Sequence, residues 1–234
     1  MKKNAAAVFA GLIIWYFLMP QPAGAGFCFR DPAIPDGETI TYRSESEGKT
    51  STITEKIVVS GDSERRFYDI TSLSPALDTY IRIDRRNMSV VLVHTVQKYP
   101  AATLDSLLRV VDEQPNDCDD QIKVPHFVVL THLLRGFPFG AQPNLRISYY
   151  GGTTDKKFNL SLAYKGTDVI DAGGRRIKCH MLSFGLEGFW GTFLPHLKLW
   201  YSVEPPHYMV RYKGPEGPPG TPERLIELLE YRVP

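Results

Sequence analysis

Six histidines are the side chains in this sequence best suited to metal or acid–base chemistry. His126 and His132 are six residues apart, which places them on nearly opposite sides of a helix, whereas a helical metal site needs an i, i+4 pair. The others lie in predicted strands or beside prolines with no acidic residue at a diagnostic spacing: His94, His180, His196 and His207. This spacing predicts neither a metal site nor a catalytic site.

The acidic turn around Asp117, Asp119 and Asp120 is the other candidate for chemistry. It lacks the regular alternation and the closing Glu of a calcium-binding hand, so a solvated turn is the preferred interpretation. The chain also has no nucleophile elbow, no phosphate-binding loop and no Cys-x-x-Cys pair. The sequence therefore favours a non-catalytic protein without a cofactor.

Two apolar loops are less ordinary. The segment from Gly188 to Pro195 carries Phe189, Trp190 and Phe193 where polar turn residues are expected, and Phe137 and Phe139 follow an apolar helix in the same way. The preferred interpretation is that both loops fold back onto a sheet. The alternative is that they line the mouth of a cleft for an acyl chain or an apolar peptide segment.

Composition bounds the class of protein. A chain of 234 residues forms one large domain or two small ones. The 27 basic and 26 acidic side chains nearly balance, which argues against a nucleic-acid binder. The 18 Pro, 19 Gly and 12% aromatic residues favour many strands and turns over a helical bundle.

The N-terminal segment has the pattern of a signal peptide. Lys2 and Lys3 precede an apolar run from Ala5 to Met19, and Ala23-Gly24-Ala25 is a small-x-small cleavage pattern. The run is shorter than the roughly 20 residues that span a bilayer as a helix. We predict cleavage after Ala25, which leaves one domain over 26–234 with no stable transmembrane segment, although a retained anchor is the alternative. Residues 25–27 lack the lipobox of a lipoprotein.

Export to an oxidising compartment would allow a disulfide. Cys28 and Cys118 lie in turn-like settings, whereas Cys179 lies in a strand-like stretch where a buried free thiol is more common. The pair Cys28–Cys118 is therefore preferred over the two other pairings.

Alternation of apolar and polar residues predicts strands over most of the chain. Ile53, Ile57 and Val59 share one parity from Asp36 onward, and further hairpins turn at 151–152 and 173–174. The tail at 222–232 fits either a helix or a closing strand.

A helical insert is expected over 103–135. Leu104, Leu107, Leu108 and Val111 have the spacing of one helix face, and a second helix is predicted from Pro125 to Arg135. The second helix is apolar nearly all the way round and must be covered on most sides. A fixed core helix is preferred to a movable lid. The whole pattern predicts one antiparallel, strand-rich domain.

The order of several motifs resembles a known family. They are the opening strand with Gly37, Glu38 and Tyr42, the Leu-Leu-Arg helix end at 133–135, Trp-Tyr-Ser at 200–202, and the hairpin from Pro205 to Arg211. Over most of the chain from Pro35 to Tyr231, the sequence is similar to the bacterial exported family called domain of unknown function 3108. The resemblance implies a periplasmic protein with no established activity.

The fold implied by the resemblance is mainly β, a single curved antiparallel sheet. A looser similarity to the open half-barrels of lipoprotein carriers places one or two helices on its concave face. The function expected is non-catalytic, with possible binding of a lipid, an acyl chain or an apolar peptide; the alternative is a protein–protein module in cell-envelope assembly. The expected ligand-binding residues are Phe127, Leu130, Leu134, Phe137, Phe139, Phe189, Trp190 and Phe193.

Overall fold

The computed structural model describes most of the chain beyond the N-terminal segment. The described residues are 29–99, 102–109, 121–124, 127–140, 144–150, 157–187, 196–215 and 221–234. The predicted signal peptide and both Cys28 and Cys118 therefore lie outside the described residues. Cys179 is described, and it is a buried thiol without a disulfide partner, as predicted.

Thirteen strands and one short helix make up the regular structure of these residues. The strands are β1 (Thr39–Ser46), β2 (Lys49–Gly61), β3 (Arg66–Leu73), β4 (Leu77–Asp84), β5 (Ser89–Tyr99), β6 (Ala102–Arg109), β7 (Gln121–Val124), β8 (Asn144–Tyr150), β9 (Lys157–Ala172), β10 (Arg175–Leu186), β11 (Leu197–Ser202), β12 (Met209–Pro215) and β13 (Glu223–Arg232). The helix α1 (Phe127–Leu133) continues into a 3-10 turn, Leu134–Gly136.

All described strands belong to one open sheet in the order β6-β5-β4-β3-β2-β1-β13-β12-β11-β10-β9-β8-β7. Each strand is antiparallel to its neighbours except β7, which runs parallel to β8. Two meanders therefore meet where the first strand pairs with the last, β1 with β13. The predicted mainly β, open antiparallel sheet is confirmed.

One face of the sheet, here called the inner face, carries the core. Along β1 and β2 the register pairs Ile40 with Glu55 and Tyr42 with Ile53, so these side chains share that face. The alternation continues across β2, β3 and β4, where the fully buried Ile57, Ile70 and Ile81 lie in register. Because inner-face residues of distant strands join α1 in a single apolar cluster, the sheet curves around the helix.

The prediction of a helix from Leu104 is wrong over the residues described, because Ala102–Arg109 forms strand β6. Its neighbour β5 offers a free edge, and pairing with it satisfies backbone groups along the whole segment. A helix of about two turns is marginal without tertiary support, and Leu104 is 47% exposed, so the leucine spacing does not mark a buried face.

The other uncertain segments are decided by the sheet. The tail forms strand β13, which lies between β1 and β12 and buries Leu228. The helix predicted from Pro125 to Arg135 is present as α1 and the 3-10 turn, although Pro125 and His126 lie outside the described residues. In the part of the chain that the structure describes, we find no helix with the length and apolar character of a membrane span.

Candidate functional site

The predicted ligand-binding residues divide into three groups. Leu130, Leu134 and Phe137 are buried in the core. Phe139 is partly buried against that core. Phe127 belongs to α1, but its side chain is outside the described part, and Phe189, Trp190 and Phe193 lie outside it altogether. The structure thus brings the helix residues and Phe137 together, and the predicted aromatic loop at 188–195 stays a prediction.

A partly exposed aromatic cluster lies beyond the C-terminal end of α1. Phe139 stacks on His180 with ring centroids 4.2 Å apart and an interplanar angle of 4°. His207 contacts both rings edge-on, and Tyr164 bonds the Nδ1 atom of His180 at 3.1 Å. Burial, with the neighbouring His207 and Lys178, lowers the pKa of His180 to about 4. This neutral imidazole therefore acts as one more aromatic ring.

A buried ion pair anchors the C-terminal end of α1. The Arg135 guanidinium donates two hydrogen bonds to the Glu38 carboxylate, at 2.6 and 2.9 Å, and both side chains are at most 2% exposed. Arg135 also donates to the Pro206 carbonyl at 3.0 Å, and the Tyr231 hydroxyl donates to Glu38 at 3.0 Å. These bonds compensate much of the desolvation that burying two charges entails.

A second acid–base pair lies under the last turn of α1. The Glu55 carboxylate approaches His132 Nε2 at 3.9 Å, with the two side chains 13% and 5% exposed. Burial is the main cause that raises the pKa of Glu55 to about 7, opposed by the charge of Arg135 and reinforced by Glu38. Burial, then the charge of Arg135, lowers the pKa of His132 to about 3. Below about pH 7 and above about pH 3, both groups are therefore mainly uncharged.

These polar groups and neighbouring sheet residues line a small cavity. Its volume is about 10 Å³, close to what one water molecule requires. The residues around it are Ile40, Tyr42, Glu55, Thr131, His132, Arg135 and Met209. Tyr201 closes the same region, because its hydroxyl donates to the Thr131 carbonyl at 2.8 Å. We call α1, the 3-10 turn and the sheet residues in contact with them the helix seat.

Residues 29–38, here called the strap, contact the helix seat before β1 begins. Phe29 and Ile34 are buried, and the Arg30 amide donates to the Gly136 carbonyl at 3.0 Å. The strap runs so close to the 3-10 turn that a Cβ on Gly136 would lie 2.1 Å from the Arg30 carbonyl oxygen. Asp31 fixes the other side of the strap through Arg85, at 2.8 Å.

A larger groove lies between the β9–β10 turn and β13. It measures about 520 Å³ and is lined by Arg43, Asp171, Ala172, Gly173, Gly174, Arg175, Arg176, Glu227, Leu228 and Leu229. Its lining contains none of the predicted ligand-binding residues and is rich in charge, so it does not match an acyl-chain site.

Within the described part of the chain, no three His, Cys, Asp or Glu side chains lie close enough together to hold a metal ion.

The polar side chains of the helix seat are not among the residues predicted from the sequence. Glu55 shares the parity of Ile53 and Ile57 in β2, so a carboxyl group on the apolar face was a readable signal. Glu38 and Arg135 belong to motifs of the family resemblance, the opening strand and the Leu-Leu-Arg helix end. They are 97 residues apart, and only the pairing of distant strands brings them together. Nothing local in the sequence predicts that contact.

Comparison with solved structures finds similar chain folds at low sequence identity. A β-barrel-like protein of domain of unknown function 1849 from Brucella abortus is 8% identical, with a TM-score of 0.44 and coverage of 85% of this chain and 98% of that one. The hypothetical lipoprotein YmcC from Escherichia coli is 11% identical, with a TM-score of 0.38 and coverage of 97% and 98%.

A third similar structure is a protein from Bacteroides fragilis described as having a YmcC-like fold. It is 12% identical, with a TM-score of 0.37, and the alignment covers 88% of this chain and 99% of that chain. No protein-family model matches this chain. No curated protein sequence matches it either.

Proposed function

We propose that this is a non-catalytic exported protein that binds an apolar chain, such as a lipid acyl chain, on the inner face of its sheet. The observation that carries the proposal is the helix seat. A helix of only seven residues covers the centre of a large apolar face, and charged and polar contacts hold it there. An apolar chain that replaces α1 would keep that face dry, so we propose the movable lid here in place of the fixed core helix that the sequence favours.

The inner face beneath α1 has the character that an acyl chain requires. Ile40, Ile57, Ile70, Leu199 and Val210 are all at most 1% exposed and belong to the same apolar cluster as Leu130 and Leu134. Each large apolar side chain uncovered by a departing helix would lose roughly 1.5–3 kcal/mol. A bound apolar chain would restore that burial, which makes exchange of helix for ligand energetically reasonable.

The aromatic residues are assigned to the entrance. Phe137 and Phe139 lie directly after the 3-10 turn, and in this proposal the loop with Phe189, Trp190 and Phe193 lies beside them. Phe127, Leu130 and Leu134 would contact the ligand from the displaced helix. Aromatic rings provide large, rigid contact areas at small cost in conformational entropy, which suits a cleft entrance.

A fluorescent polyenoic fatty acid tests this function directly. We expect micromolar binding to the purified protein, weakened several-fold by Trp190→Ala and by Phe139→Ala. Phe67→Ala is the matched control, because Phe67 lies on the other face between the guanidinium groups of Arg65 and Arg82, at 5.1 and 5.4 Å. No binding to the wild-type protein, or equal weakening by Phe67→Ala, would contradict the proposal.

The same proposal places the protein in the periplasm. It includes the signal peptide cleaved after Ala25, a single domain over 26–234, membership of the domain of unknown function 3108 family, and the Cys28–Cys118 disulfide. Mass spectrometry of the envelope fraction would show the new N-terminus, and an intact Met1 in the mature protein would contradict export by cleavage. Non-reducing peptide mapping that links Cys179 would contradict the disulfide.

The free edge of the sheet supports a second candidate, a protein–protein module in envelope assembly. β6 has a strand neighbour on one side only within the described residues, and Leu104 on it is 47% exposed. An extended segment of a partner protein could add to that edge. A photoreactive amino acid at position 104 should then give one discrete crosslinked product in intact cells, whereas a pure lipid carrier should give none.

A further inference from the structure

The acid–base pair beneath α1 has no role in the ligand contacts proposed above. Glu55 extends from the inner face of β2, and His132 meets it from α1 with Nε2 towards the carboxylate, 3.9 Å away. That separation is too long for a direct hydrogen bond, and both side chains line the cavity of about 10 Å³, which has room for one water molecule to bridge them.

The charged and titratable groups around Glu55 explain why it lacks a cationic partner. Glu38, just before β1, and Tyr42 on β1 face it, and β11 contributes Tyr201. From the helix side, His132 and Arg135 face it, and Ser72 on β3 supplies a hydrogen bond. Arg135 is bound at both ends of its guanidinium by Glu38, so it cannot also neutralise an ionised Glu55 at close range.

We propose that Glu55 and His132 form an uncharged pair while α1 is seated, and that water entering the helix seat converts them into a hydrated carboxylate and a hydrated imidazolium. The Glu55 carboxyl O–H bond breaks and a new N–H bond forms at His132 Nε2, through the bridging water. One proton moves, the carboxylate keeps the electron pair, and no other reactant is needed. This inference rests on the displacement of α1 in the proposed function, but not on any ligand.

The consequence is that seating of α1 hardly depends on pH, because two opposite dependences cancel. The raised pKa of Glu55, about 7 against 4.5 when exposed, makes opening easier as pH rises through that range. The lowered pKa of His132, about 3 against 6.5 when exposed, makes opening easier as pH falls through that range. Between 4.5 and 6.5 the seated state holds its proton on Glu55 and the open state holds it on His132, so no net proton is exchanged.

Each single variant should reveal the pH dependence of the one group that remains. The opening constant is the equilibrium constant between the open and the seated state of α1. It changes tenfold for each pH unit over which the remaining group is protonated in one state and deprotonated in the other. His132→Gln should therefore raise this constant roughly 70-fold from pH 5 to pH 8. Glu55→Gln should lower it roughly 30-fold over the same range, and the wild type should change by less than about threefold. The double variant should be as flat as the wild type.

Hydrogen exchange of a peptide covering residues 127–136, corrected for intrinsic rates, measures this opening in the ligand-free protein. Glu64→Gln is the control, because it removes an exposed carboxylate in the β2–β3 turn. Opposite pH slopes in the two single variants support the pair. Slopes that equal the wild type's would overturn it, as would a steep slope in the double variant.

A second measurement needs no folded variant. The infrared band of a protonated carboxylic acid, assigned to Glu55 by selective isotope labelling, should be present in the wild type at pH 6. Its absence there would overturn the inference. Both measurements are made without the fatty-acid probe. If the single variants show opposite pH slopes but the protein binds no probe, the Glu55–His132 inference holds and the proposed function is wrong.

Discussion

Breaking the Arg135–Glu38 ion pair is the sharpest perturbation of the helix seat. Glu38→Gln leaves a guanidinium that is 2% exposed and has lost its counter-charge, while Arg135→Met leaves the carboxylate at 0% exposure with Tyr231 alone. Removing one partner of a buried pair costs roughly 3–5 kcal/mol, because the remaining charge is desolvated without compensation. For a chain of this size, that corresponds to a fall in melting temperature of about 6–20 °C.

The double variant Glu38→Gln/Arg135→Met removes both charges. It should be much less destabilised than the sum of the two single variants, with a coupling of about 2 kcal/mol or more. Urea unfolding followed by circular dichroism measures all three, provided that the slope with denaturant stays constant. Additive single effects would refute the assignment of this pair as the anchor of α1.

A partly exposed pair of similar geometry, Arg82 with Asp69 at 38% and 15% exposure, is the matched control. Arg82 donates two hydrogen bonds to Asp69, at 2.7 and 3.1 Å, but the Arg82 side chain is 38% exposed. Solvent screens such a pair, so Arg82→Met should cost no more than about 1 kcal/mol. A loss as large as that of Arg135→Met would show that burial is not what makes the Arg135 pair matter.

Three further substitutions probe the helix seat. Leu130→Ala should cost about 2–5 kcal/mol of unfolding free energy as a core truncation, whereas Leu229→Ala, at a side chain 43% exposed, should cost far less in the same urea titration. Gly136→Ala should lower the melting temperature and speed proteolysis of the strap, because the new Cβ would meet the Arg30 carbonyl oxygen at 2.1 Å; unchanged proteolysis would contradict that close approach. Tyr201→Phe should cost about 1–3 kcal/mol by leaving the Thr131 carbonyl without its donor, and a neutral result would place water there instead.

The sequence pattern is most informative where it is local. Alternation placed the strands and their turns, and an apolar run ending in Leu-Leu-Arg placed α1. The spacing of the leucines from Leu104 gave a wrong prediction. Spacing shows which residues could share a helix face, but it does not show which neighbouring segment bonds the backbone N–H and C=O groups. Pairing with the free edge of β5 makes that segment a strand, and this edge exists only after the sheet has formed.

The polar part of the helix seat could not be derived in the same way. Glu38 and Arg135 meet because β1 lies beside β13 at the centre of the sheet, facing the helix that follows β7. That arrangement depends on how two meanders join, which no short-range pattern encodes. Glu55 was closer to being predictable, since an acidic residue at an apolar parity indicates either a buried partner or a functional site.

Hydrogen exchange of α1 with and without a saturating fatty acid tests the central claim most directly. If the acyl chain replaces the helix on the inner face, amides within Phe127–Leu133 should exchange faster in the bound protein while those of the central strands β1 and β13 stay protected. If the fatty acid binds and α1 exchanges at the same rate or more slowly, the helix remains seated, and its displacement by an apolar chain is wrong.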